Sequence, residues 1–288
     1  MELQGVCQKM HAALTQPSVT DSAEKQANVE YKFILDNTAV ALPFALGEQV
    51  EIEWTGQIYC VSCGTKTNKS FSQGHCFRCF KTKASCDLCI MKPETCHYHL
   101  GTCREEDFAQ QVCFQPHIVY LANSSALKVG ITRISQMPTR WLDQGATQAL
   151  PIMQVGSRRL SGHIETMFAS EIADKTDWRK LLKGEAAPLD LIEARNHLLE
   201  SFAPKITQIR DQFAESLEFD EGLEVLDAEQ HAFIYPVLQY PEKIKSHNLD
   251  KTPKIQGTLQ GIKGQYLILD TGVINIRKYS GYELILRS

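Results

Sequence analysis

Two stretches in the first fifth of the chain, VEYKFIL (29–35) and QVEIEW (49–54), alternate apolar and polar residues, the period of a strand with one buried face. Residues 1–28 are polar, and Val6, Met10, Ala13 and Leu14 give them only weak helical character. HIVYLANSSALKVGITR (117–133) predicts two strands, 117–122 and 127–132, around a polar turn at Asn123, Ser124 and Ser125. Pro138 suits the first turn of a helix running to about Gln144, and Gly145 suits the residue that stops it. PIMQV (151–155) reads as a further short strand. Ser161 is a candidate N-cap for a helix on which Ile164, Met167, Phe168 and Ile172 recur at helical spacing. Amphipathic helices are expected at 188–202, with Leu191, Arg195, Leu198 and Phe202, and at 205–218, with Ile206, Ile209, Phe213 and Leu217. The C-terminal stretch 254–288 breaks into β-rich runs punctuated by glycines, with a hairpin turn at Asp270-Thr271-Gly272. Four strands in so short a unit are marginal alone, so the N-terminal strands are candidates to complete its core.

Composition narrows the class. The chain has 288 residues, 43% hydrophobic and 22% charged, with a net charge of −4, as expected of an ordinary soluble protein. No apolar run approaches the ~18–20 residues that span a bilayer, and the N-terminus lacks the apolar core of a secretory signal. The expectation is a cytoplasmic protein with no membrane partner. Charge is uneven: 185–230 holds twelve Asp/Glu against three Lys/Arg, while 117–165 and 254–288 each hold five Lys/Arg against two Asp/Glu. The acidic stretch reads most simply as a solvated helix surface.

Cysteine placement changes the picture most. Nine of the ten cysteines lie between Cys60 and Cys113. A local cluster in a chain without an export signal points to metal rather than to disulfides. Cys60-x2-Cys63 and Cys76-x2-Cys79, twelve residues apart, have zinc-ribbon spacing: two tight knuckles turn four sulfurs toward one ion. Gly64 and Gly74 fit the sharp bends beside them. Cys86-x2-Cys89 is a third knuckle. With Cys96 and Cys103 it would complete a second four-sulfur shell, or with His97 a mixed one; Cys113 and His117 rank lower. Two structural Zn2+ ions are the expectation, because four protein ligands leave no open position for catalysis. Iron–sulfur is the chemical alternative, since thiolates suit it equally. Lys66, Lys69, Arg78, Lys81, Lys83 and Lys92 either contact nucleic acid or offset the thiolate charge.

The order of features in 117–178 resembles the GIY-YIG nuclease domain: a strand ending Ile118-Val119-Tyr120, a turn, a strand with Lys128-Val129-Gly130, a helix carrying Arg140, a strand at 151–155 and a helix carrying Glu165. It is similar to the diverged branch in which the second signature reads K-[IV]-G-[IK]-T. The combination of the cysteine cluster, KVGITR and RWLDQGA also resembles an uncharacterised bacterial family, catalogued only as a domain of unknown function. The GIY-YIG resemblance, covering about 60 residues of the chain, implies catalytic roles for Tyr120, Lys128 (where the family has its second tyrosine), Arg140 on the scissile phosphate, and Glu165 on one Mg2+ ion. Cleavage of a phosphodiester needs such parts: a positioned nucleophile, positive charge on the non-bridging oxygens, and a Lewis acid. The sequence departs from the family at Ile118, where a glycine is usual, at Lys128, and in the short Tyr120–Lys128 spacing. Lysine there suits a phosphate clamp more directly than a base. Arg133, Arg158, Arg159 and His163 would form a positive rim for nucleic acid. Tyr266, Arg277, Lys278 and Tyr282 are candidate contacts on the C-terminal strands.

The reading is therefore an α+β chain: 1–59 an N-terminal segment with strands, 60–113 a Cys-rich zinc module of zinc-ribbon type, 114–183 a GIY-YIG-like small mixed sheet with flanking helices, 184–250 an acidic helical segment, and 251–288 a small β unit. The function expected is DNA or RNA binding, with Mg2+-dependent endonuclease activity if the catalytic set is intact. Two other classes stay open: a non-enzymatic zinc-binding scaffold or regulator whose core has lost catalysis, and an enzyme acting on a small phosphorylated molecule.

Overall fold

Strands distant in sequence build both sheets of the protein in the computed structural model, which describes residues 2–15, 26–172, 176–214 and 222–288. Five strands precede the cysteine-rich stretch: β1 (Glu2–Val6), β2 (His11–Leu14), β3 (Gln26–Leu35), β4 (Thr38–Ala41) and β5 (Gln49–Ile58). That stretch holds α1 (Phe77–Thr82), several 3₁₀ turns, and α2 (Glu106–Phe108), which runs into a single π turn, Ala109–Cys113. Next come β6 (His117–Asn123), β7 (Leu127–Arg133), α3 (Thr139–Asp143), β8 (Gln148–Val155), α4 (Arg158–Phe168), α5 (Trp178–Lys183) and α6 (Leu191–Ala214). The chain closes with β9 (Leu223–Val225), β10 (His231–Ile234), β11 (Lys254–Lys263), β12 (Tyr266–Leu269), β13 (Gly272–Asn275) and β14 (Tyr282–Arg287).

The fold is α+β. One sheet runs β1-β14-β5-β11-β12-β13, so strands from the two ends of the chain interleave. Leu3 faces Leu286 across β1 and β14, and Ile52 faces both Leu286 and Ile255 across β5. The other sheet runs β2-β3-β10-β8-β6-β7, with β4 added to β3 and β9 to β8. Its one parallel pair among the described residues is β10 with β3. β6 is central to β7 and β8, antiparallel to both, and buried along its whole length. Val119 and Leu121 face a core shared with α4 and α6, whereas Ile118, Tyr120 and Ala122 face a core shared with α3 and the other sheet. A central strand buried on both faces must be nearly all apolar, and IVYLA is.

Three expectations about elements need correction, and two strands were not expected. The N-terminus forms β1 and β2, not a weak helix. Its buried residues are Gly5, Cys7, Met10 and Ala12, a set fixed by pairing with distant strands and not by local period. Residues 16–25 lie outside the described residues. The helix bearing Glu165 begins four residues early, because Ser157 Oγ accepts from Leu160 N at 3.1 Å. Ser161 is inside it and donates to Arg158 O. The two acidic helices are one helix, α6, capped by Asp190 and continuous through Pro204. Proline removes one hydrogen bond there, and burial of Leu191, Leu198, Phe202 and Phe213 along one face holds the helix together across the gap. The end expected at 215–218, with Leu217, lies outside the described residues. Finally, β9 and β10 are too short and too mixed in sequence to announce themselves. No described helix is long and apolar enough to cross a membrane.

Candidate functional site

The first knuckle pair forms one metal-binding group. The sulfurs of Cys60, Cys63, Cys76 and Cys79 all lie within 4.8 Å of one another, with Cys63 and Cys76 at 3.9 Å. Each knuckle is shaped by its backbone: Gly64 N donates to Cys60 O at 2.8 Å, and Cys76 caps α1 by accepting from Cys79 N. Gly64 and Gly74 both adopt positive φ, and a Cβ on Gly74 would sit 2.5 Å from Val61 Cγ1. Hydrogen bonds from Thr65 hold the Cys63 thiol below its usual range, which favours the thiolate that a metal needs. Four sulfurs around one point are the donor set of a structural thiolate site.

The other cysteines divide. Cys89 and Cys96 both line a small cavity together with His97, Cys103 and Cys113. Cys86 is not in that lining; Ser85 and Ser72 approach its thiol instead. His97 belongs to a second group of close ligand atoms with Asp87 and Cys89.

The Tyr120 face of the β6–β7 pair carries the expected catalytic residues. Tyr120 is fully buried, and its hydroxyl donates to Gln144 Oε1 at 3.1 Å. Lys128 donates to the same amide oxygen at 2.5 Å and to Thr176 Oγ1 at 3.0 Å. Gln144 is the C-cap of α3, just before Gly145, whose φ of +66° ends the helix. Asp143 beside it accepts from Lys9 at 2.6 Å and from Gln265 at 2.9 Å, tying α3 to the segment between β1 and β2 and to the C-terminal strands. Lys128, Gln144 and Thr176 line an open cleft of about 260 Å³. Trp178 and Tyr266 form its aromatic wall, their rings parallel within 3° and 6.1 Å apart. Arg179 stacks on the Trp178 ring at 4.3 Å.

Arg140, on α3, and Glu165, on α4, are both half-buried. Both charges reach the tyrosine hydroxyl, whose pKa burial raises; Arg140 works against that rise and Glu165 with it. Arg158 also feels both charges, and Arg277 feels Arg140. Glu165 belongs to neither group of clustered metal-ligating side chains among the described residues.

The expected positive rim is placed elsewhere than at this cleft. Arg158 turns to the cysteine-rich stretch and donates to Ile90 O at 2.7 Å. Arg159 and His163 pack on the Phe213 ring of α6. Arg133 ends β7 opposite His117, where its charge helps keep the buried imidazole neutral. A larger cleft, about 450 Å³, lies between the first knuckles and the C-terminal strands. It is lined by Arg277, Lys278 and Tyr282 with Lys69, but Asp250 accepts from Tyr282 and pairs with Lys278 at 3.6 Å. Sequence reasoning missed Thr176 and Trp178 as cleft residues. The only local signal was Asp177, which caps α5 through Arg179 N and Lys180 N.

A family model described as "Protein of unknown function (DUF2797)" matches residues 47–284, which takes in the nine clustered cysteines and both clefts. No curated protein and no solved structure matches the chain.

Proposed function

The chain belongs to the DUF2797 family, and from the chemistry of its site we propose that it binds single-stranded nucleic acid in the cleft beside Lys128, with zinc at Cys60, Cys63, Cys76 and Cys79 as a structural ion. One observation carries the reading: a lysine held by Gln144 and Thr176 shares a cleft with two parallel aromatic rings. A nucleotide offers the complementary pair, a phosphate for the ammonium and a flat base for the rings. Base–aromatic stacking contributes about 1–3 kcal/mol per base and tolerates any base. Bases of a duplex are already stacked, so an unpaired strand is the form that fits. At about 260 Å³ the cleft suits one nucleotide unit rather than a helix. Arg179, stacked on Trp178, adds positive charge at the exposed end of the wall.

Cleavage is a second reading with its own support. The charges of Arg140 and Glu165 both reach the Tyr120 hydroxyl, the arrangement that the GIY-YIG resemblance implies. Binding is favoured over it because the Tyr120 proton is engaged by Gln144 and the phenol is fully buried. Fluorescence anisotropy with labelled single-stranded DNA and RNA, with matched duplexes as controls, tests binding. Adding Mg2+ and following strand length in the wild type and Glu165→Gln tests cleavage.

A further inference from the structure

We propose a second thiolate metal site, formed by Cys89, Cys96, Cys103 and Cys113, from which Cys86 is excluded. The four side chains line one small cavity of about 20 Å³, room for a single ion. Cys89 lies within electrostatic reach of Cys96 and Cys113, and Cys113 within reach of both Cys96 and Cys103. Local backbone explains how four such distant residues meet. Cys89 sits within the 3₁₀ turn Leu88–Ile90, and Cys96 follows the 3₁₀ turn Pro93–Thr95. Cys113 closes the π turn, in which Phe114 N bonds Ala109 O at 3.0 Å. That wider turn puts both of its ends, Ala109 and Cys113, on the cavity, and single π turns are common at functional sites.

The two other ligand sets are weaker. Cys86 ends a separate 3₁₀ turn, Ala84–Cys86, and its thiol meets Ser85 and Ser72. Asp87, Cys89 and His97 come within 4.8 Å of one another, which the four sulfurs do not all do before an ion draws them in. The Asp87 carboxylate is already engaged, however: one oxygen pairs with Arg104 Nε at 2.7 Å and the other accepts from Leu88 N at 2.6 Å. His97 Nδ1 bonds Thr102 Oγ1 at 2.7 Å. These groups surround the site and steady it.

Charge balance gives a separate argument. Four thiolates around a divalent ion carry a net charge of about −2, and such a site needs nearby cations. Arg158 and Arg159, at the start of α4, supply them: Arg158 is within reach of Cys89 and Cys113, and Arg159 of Cys96. Both arginines are half-buried at this junction, which a phosphate-binding rim does not explain. All-sulfur tetrahedral sites take Zn2+ or iron, and Zn2+ is the ion proposed here.

Native mass spectrometry of the full chain should find two zinc ions in the wild type, two in Cys86→Ser and one in Cys113→Ser. Thiol alkylation mapped on the zinc-loaded wild type needs no variant to fold. Cys86 should react, while Cys89, Cys96, Cys103 and Cys113 react only after a chelator is added. One zinc in the wild type, loss of a zinc from Cys86→Ser, or Cys113 reacting equally with and without chelator would overturn the assignment.

Discussion

The Tyr120 ring lies across Gly130, its partner on the neighbouring strand: a Cβ at residue 130 would stand 2.6 Å from the tyrosine hydroxyl. This explains the glycine of KVG without invoking flexibility. The phenol needs the space to reach Gln144, and Gln144 in turn receives Lys128. Gly130→Ala should destabilise the protein by about 1–3 kcal/mol, as overpacking does. Urea unfolding of the single variants and of Tyr120→Leu/Gly130→Ala checks it: the alanine should cost much less once the ring is gone.

Gly162 plays the same part between modules. A Cβ there would meet Glu94 N and Pro93 Cβ, each at 2.6 Å, so α4 admits the Pro93–Thr95 turn only because residue 162 has no side chain. Backbone atoms cannot step aside as a flexible side chain can. Gly162→Ala should loosen the cysteine-rich stretch from α4, seen as faster proteolysis between 86 and 113 while the sheets stay protected.

Asp143 holds three segments at one carboxylate. It is 4% exposed, with Lys9 on one oxygen and Gln265 on the other. Removing it leaves the Gln265 amide short of an acceptor at a buried position. Asp143→Ala should lower stability by about 2–3 kcal/mol, measured by denaturant unfolding, with a larger loss than Lys9→Ala, whose ammonium can turn to water.

Lys263 gives a pH dependence. It is 1% exposed between the Tyr235 and Tyr240 rings, and burial brings its pKa down to about 8. The unfolded chain keeps that proton up to about 10.4. Between these values the unfolded state binds more protons, so this group's contribution to stability rises with pH from about 8 to about 10.4. Below pH 8 the buried charge costs on the order of 3 kcal/mol. Lys263→Met should therefore raise the unfolding midpoint at pH 7, and the gain over the wild type should shrink as pH climbs through that window.

Local signals were legible in the sequence, and long-range ones were not. The spacing of Cys60, Cys63, Cys76 and Cys79 is local, and these sulfurs do converge. The strands at 117–123 and 127–133 carry their own periodicity and pair as a hairpin. β1 and β2 owe their existence to β14 and β3, so their own residues say little. The helices expected at 188–202 and 205–218 are one because the core against α6, which carries it through Pro204, is assembled from residues far away. The cleft needs Trp178 from α5 and Tyr266 from β12, placed beside Lys128 by two independent packing events. No motif spans them. Arg158 and Arg159 read as a phosphate rim because the acceptor, Ile90 O, and the thiols lie far away in sequence.

The central claim is that Lys128 and the Trp178–Tyr266 wall bind an unpaired strand. Its most direct test is the salt dependence of single-strand affinity for the wild type and Lys128→Met, which keeps the buried stem and removes the charge. Binding should weaken as salt rises. The variant should bind about tenfold more weakly, with its log–log salt slope reduced by about one phosphate contact. An affinity and slope identical to the wild type, or no single-strand binding at low salt, would contradict the account.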